Sequence, residues 1–167
     1  MQTRTPEIPF MATMLDLSKA TSRMTMTPAL FRALLADVGE DDAHRLRDGT
    51  GWNLVEIMAH MRDIDAVFLG RARRIVAEDA PTYAVVDPDA LAAERRYDAA
   101  TLAETVAAFE ANRAEFLAFL STLSAEQAVR TAVHPETGPH TLADLAINTA
   151  LHDMAHLHQI LKAKGQA

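Results

Sequence analysis

A bundle of four helices is the all-α architecture the sequence predicts, and three observations carry that expectation. Four long segments repeat their apolar residues at helical spacing, one beginning at Leu15 and the others opening near residues 53, 101 and 141. No stretch alternates convincingly with period two, so no sheet is expected. With 167 residues, 49% hydrophobic and 23% charged, the chain is long enough for one core and too short for two ordinary domains. Residues 1–12 carry two prolines and little periodicity and read as a flexible arm, leaving 13–167 as one helical domain.

The first helical pattern starts at Leu15 but meets Pro28, which lacks an N–H and clashes with the preceding turn of a helix. A break is therefore predicted, with Thr27 as N-cap, Pro28 at the first helical position and Gly39 closing the second piece after Val38. The second long helix opens at "GWNLVEI", where Asn53 caps, Glu56 completes a capping box and Trp52 is placed to staple onto Ile57. It should run to about Glu78. Residues 79–100 hold two prolines and at most one short helix at Asp87-Pro88, a long crossover between the second and third helices. Thr101 and Glu104 cap the third helix, whose Leu102, Val106, Phe109, Phe116 and Leu120 share one stripe. Ser124 to Gln127 predicts a turn or two of helix and "HPETGPH", 134–140, a turn. Thr141 and Asp144 then cap a final helix through about Lys162.

The formal net charge of −7 repels phosphate backbones and argues against nucleic-acid partners. The chain has no cysteine, so any metal must be held by nitrogen and oxygen, and any thiol must come with a cosubstrate. No apolar run is long enough to span a membrane, and charge interrupts the N-terminus where a signal peptide has its apolar core. A cytoplasmic protein is expected. Eight methionines sit mostly at core spacing, and 5% aromatics leave no stacking platform for a large cofactor.

The segment "LHDMAHLHQI", 151–160, raises the chemical question. His152 and His156 are four apart and so lie one above the other on one face of a helix, on the stripe of Leu145, Thr149, Gln159 and Ile160. His158 falls on roughly the opposite face. Two imidazoles on a buried stripe need partners for their ring nitrogens, which either a bound cation or a polar network with ordered water provides. His60, beside Ile57, Met61, Ile64 and Val67, faces inward from the second helix and is the best third ligand for a site with an open position. The order His-Asp-x-x-His is reminiscent of zinc metalloproteases. Their acid, however, is a glutamate, and the eleven residues after His156 are too few for their third ligand. A ferritin-like di-iron site would need Glu-x-x-His motifs, which are absent.

Together, "GWNLVEIMAHMRDID" and "GPHTLADLAINTALHDMAHLHQI" resemble the second and last helices of the DinB-like (YfiT-like) family of metal-dependent enzymes, and the resemblance extends over roughly residues 25–162. It implies a four-helix bundle with an up-up-down-down course, commonly a homodimer, holding a divalent metal through His60, His152 and His156. It further implies chemistry like that of thiol transferases, joining a low-molecular-weight thiol to a small electrophilic substrate. The alternatives are a hydrolase activating water, and a non-catalytic metal- or ligand-binding stress-response bundle. Zinc, nickel, iron, copper and manganese all suit three imidazoles.

Other residues have a structural reading beside a functional one. Glu56 is accounted for by its cap. Asp63, a turn beyond His60, either orients a ligand ring or is a solvated carboxylate. Asp153 is a candidate general base at the rim of the site, and Gln159 a candidate hydrogen-bond partner for a ligand or substrate. Arg113 lies on the third helix's apolar stripe, where it either snorkels to water or clamps a substrate carboxylate. His44, His134 and His140 read as loop residues, the last two at a possible site mouth.

Overall fold

Side-chain caps fix where the long helices begin in the computed structural model, which describes residues 12–49 and 51–166. Residues 1–11 of the expected arm lie outside them. The described elements are α1 (Met14–Leu35), α2 (Glu40–Arg45), α3 (Leu54–Ala77), α4 (Pro88–Glu94), a 3-10 turn (Tyr97–Ala99), α5 (Leu102–Ser121), α6 (Ala125–Ala128), β1 (Thr131–His134), β2 (Gly138–Thr141) and α7 (Leu142–Ala163). At α3, Asn53 accepts the Glu56 N–H at 2.9 Å and Glu56 accepts the Asn53 N–H at 2.7 Å. Thr141 and Asp144 make the same reciprocal pair at the start of α7. Each exchange satisfies helix N–H groups that lack an intrahelical partner.

The four long helices, α1, α3, α5 and α7, form the bundle, with α1 against α5 and α7, and α3 against the same two. One core cluster joins Leu17, Ala20 and Met24 of α1 to Phe68 and Ala72 of α3, Phe116 and Leu120 of α5, and Leu142 and Ala146 of α7. The other joins Phe31 and Leu35 to Leu54 and Ile57, Leu102 and Phe109, and Leu157 and Ile160. The N-terminal half of α1 thus lies level with the N-terminal half of α7 and the C-terminal halves of α3 and α5. The course is up-down-down-up, which corrects the up-up-down-down order drawn from the family resemblance. It also explains the long crossover: α3 and α5 are parallel neighbours, so the chain must travel back the length of the bundle between them.

Two further expectations are corrected. Residues 131–141 form an antiparallel hairpin, with Thr131 opposite Thr141 and His134 opposite Gly138. Its strands are too short, and their burial too mixed, for period-two alternation to register. Gly138 turns the hairpin at φ +81°, a left-handed conformation that glycine adopts freely. The hairpin anchors the crossover, for the Tyr83 N–H donates to Val133 and the Val133 N–H to Pro81.

The predicted break at Thr27-Pro28 does not occur. Helix α1 runs through Pro28, and Gly39 is the N-cap of α2 rather than the end of α1. Proline in a helix interior costs about 3 kcal/mol, in part because the carbonyl four residues back loses its donor. Here that carbonyl is Met24's, and Arg113 Nη1 reaches across from α5 to donate to it at 3.2 Å. A buried guanidinium replaces the missing backbone hydrogen bond, so the helix continues. Among the described residues, no helix is long and apolar enough to cross a membrane.

Candidate metal centre

Antiparallel packing of α3 on α7 brings His60 opposite the stripe of His152 and His156. The Nε2 atoms of His60 and His152 are 3.1 Å apart, as are those of His152 and His156. One ligand nitrogen from each ring lies within 4.8 Å of the others. Four nitrogens set tetrahedrally about 2.05 Å from a zinc-like cation are about 3.3 Å apart, so the triad is already close to the spacing a cation requires.

The surroundings prepare the lone pairs. Gln159 Oε1 lies 2.6 Å from His156 Nδ1. Because an amide oxygen only accepts, Nδ1 carries the proton and Nε2 is left as a lone pair facing the other rings. His60 is buried, its ring 5.0 Å from that of Trp52, and its Nδ1 has no partner among the described residues, so its polar chemistry is confined to Nε2. Phe68 sets an edge against His152 at 5.8 Å. Burial, reinforced by the neighbouring rings, pulls His60 down to about 4 and His152 down to about 3. Burial also lowers His156, against the pull of Gln159. At neutral pH all three rings are uncharged, the form in which imidazole ligates metal. Three neutral nitrogens without thiolate or carboxylate fit a borderline divalent cation, and the donor set does not select among zinc, nickel, iron, copper and manganese.

The family model described as the DinB superfamily matches residues 23–160. This chain belongs to the DinB superfamily. Among solved structures it is similar to YfiT from Bacillus subtilis, described as a probable metal-dependent hydrolase with an unusual four-helix bundle topology. The TM-score is 0.78 at 20% identity, over 93% of this chain and 91% of that one. A likeness at that identity extends to the fold. No curated protein matches the chain.

In this DinB superfamily bundle Arg113 and Asp153 are placed differently from the expectation. Arg113 does not snorkel: its side chain is 0% exposed. Nε and Nη2 donate to Asp65 at 2.7 and 2.8 Å, Nη1 and Nη2 to Asp153 at 2.5 and 2.7 Å, and Nη1 also to the Met24 carbonyl. All five N–H groups of the guanidinium are used, so none is left for a substrate carboxylate. Asp153 is buried too, holding Arg113 and accepting the Thr27 hydroxyl at 2.8 Å, and its carboxylate is committed to the core rather than to the rim of the metal site. Burial lowers Arg113, but the hydrogen bonds to Asp153 and Asp65 outweigh it and hold the guanidinium charged. Burial likewise pushes the Asp65 carboxyl up against the pull of Arg113.

Asp63 pairs with Arg62 at 2.7 and 2.9 Å. Glu56 closes its cap and meets Arg47. His158 is exposed, as its position on α7 implies, and His44 lies beside Glu40 on α2. Sequence reasoning missed Asp65, and it read Thr27 as a helix cap rather than as a partner of Asp153. The available signal was one basic and two acidic residues, Arg113, Asp65 and Asp153, on three helix faces that must meet.

Proposed function

We propose that this chain is a divalent-metal-dependent enzyme acting on a small electrophilic substrate, through a site made by His60, His152 and His156. The convergence of three uncharged Nε2 atoms, one of them aimed by Gln159, carries this reading. His60, His152 and His156 would hold a divalent cation, which would supply a Lewis acid able to bring the ionisation of a water or thiol toward neutral pH. The chain's own residues do the rest. Gln159 keeps the proton on Nδ1 of His156, and Trp52 and Phe68 set apolar rings against His60 and His152. Asp153, committed to Arg113, is not available as the general base.

Thiol transfer is the first reading, taken from the family resemblance; a chain without cysteine is compatible with a thiol delivered by a cosubstrate but does not require one. Hydrolysis is the second, favoured by the description of YfiT as a probable metal-dependent hydrolase. Elemental analysis of tag-free protein, followed by turnover of 1-chloro-2,4-dinitrobenzene with cysteine and of p-nitrophenyl acetate without thiol, separates them. Thiol-independent ester hydrolysis removes the transferase reading. A tightly bound metal that drives neither reaction supports a sensing or structural bundle, and a chain that takes no metal removes the enzyme reading altogether.

We place the protein in the cytoplasm as a homodimer. The dimer is supported by an apolar groove between α1 and α7, about 530 Å³ and lined in part by Met26, Leu30, Leu151 and Met154, side chains that are exposed on the single chain. Sedimentation should give a dimer that Leu151→Glu turns into monomer.

A further inference from the structure

A second cleft, about 270 Å³, opens between the hairpin and the C-terminal half of α3, and its walls include Arg71, Tyr83, His134, His140 and Asn148. Arg71 is the unusual member. Its guanidinium is half-buried, 4.8 Å over the Tyr83 ring and 5.7 Å over the Phe68 ring. Its hydrogen bond is a single one, from Nη2 to the Ala84 carbonyl at 2.8 Å, and it pairs with no carboxylate among the described residues. A guanidinium held between aromatic faces keeps its donor edge for a planar or tetrahedral anion.

Two more wall residues, His134 and Asn148, suit the same ligand. Asp144, the carboxylate on this wall, is turned to its own helix, where Oδ2 accepts both the N–H and the hydroxyl of Thr141 at 2.9 and 2.7 Å. His134 Nδ1 accepts the Glu136 N–H at 3.2 Å, which puts the ring proton on Nε2 and makes His134 a donor. Asn148 adds an exposed amide. The cleft also adjoins the triad. Asn148 is one turn, about 6 Å, before His152 on α7. Phe68 bridges the two sites, with Arg71 over its ring and His152 at its edge.

We infer that this cleft binds the anionic end, a carboxylate or a phosphate, of the small substrate whose reacting atom meets the histidine triad, with Arg71 as the residue that holds it. The inference rests on the metal-dependent reading above for what lies at the other end of the substrate, and on the cleft's own geometry for the anion.

The test is NMR titration of the full chain, stripped of metal so that no anion can ligate a cation, with succinate and separately with inorganic phosphate at constant ionic strength. Saturable shifts of the Arg71 Nε–H and Asn148 amide signals are expected, with affinity falling about tenfold or more in Arg71→Gln. Whichever anion binds identifies the headgroup class. Because Arg71 also ties down the crossover at Ala84, Asn148→Asp provides a second variant, adding a like charge on an exposed position, and it should weaken binding without altering the fold. Absence of saturable shifts with either anion, or equal affinity in Arg71→Gln and Asn148→Asp, overturns the inference. Metal content separates the two claims. A chain that binds metal but no anion keeps the enzyme reading and loses this one, whereas Arg71-dependent anion binding in a chain that takes no metal does the reverse.

Discussion

Two polar clusters stand side by side in this bundle, joined through the adjacent residues His152 and Asp153 of α7, and they are built in opposite ways. Around Arg113 every donor has an acceptor, all supplied by the protein: two carboxylates and the carbonyl freed by Pro28. Around the triad three Nε2 atoms converge, one ring nitrogen is held by Gln159, and His60 Nδ1 has no partner among the described residues. The first cluster is closed and charged, the second open and neutral. Because successive residues on a helix turn about 100°, one segment of α7 supplies both, with Asp153 facing α1 and α5 and His152 facing α3. The closed cluster fixes the helix on which the open one depends.

Removing the guanidinium should have the largest effect. Arg113→Met leaves Asp65 and Asp153 buried without a counter-charge and Met24 without a donor, so a loss of about 3–5 kcal/mol in urea unfolding is expected. A change below about 1 kcal/mol would mean that the cluster is not closed as described. The triad should behave in the opposite manner. His60→Ala, His152→Ala and His156→Ala should each stay folded by circular dichroism, yet fall from about one bound divalent metal per chain to near none by elemental analysis. Metal retained at full occupancy by any of the three would remove that residue from the site. Between these extremes lies Gln159→Leu, which keeps all three ligands but frees the His156 ring to turn. Metal affinity should drop about 10- to 100-fold by competition with a chelator, with unfolding of the metal-free chain nearly unchanged.

The two clusters also differ in how far the sequence reveals them. The triad is written in local terms: an i, i+4 histidine pair on an apolar stripe and a third histidine on another, each legible from helical period alone. The caps at Asn53, Thr101 and Thr141 are equally local, and so the long helices begin where the residues predict. The closed cluster is legible only in pieces. Arg113 read alone is a snorkelling side chain, Asp153 a rim carboxylate and Pro28 a helix end, because each finds its partner on another helix. Propensity at Pro28 was overridden by a tertiary hydrogen bond that no window of sequence contains. The hairpin was hidden for a different reason, since four-residue strands do not offer enough alternation to count.

Pro28 permits the sharpest test of that override. Pro28→Ala restores an N–H for Met24, so a helix that had simply tolerated the proline should gain about 3 kcal/mol. In this bundle Arg113 already serves the same carbonyl, and the gain should be under about 1 kcal/mol, because the new hydrogen bond replaces one already made. The same substitution placed on Arg113→Met meets a carbonyl with no donor and should recover more. A double-mutant cycle in urea is therefore expected to show a coupling of about 1 kcal/mol between positions 28 and 113. Additivity within about 0.3 kcal/mol would show instead that the guanidinium and the proline are independent, and that the helix passes through Pro28 on packing alone.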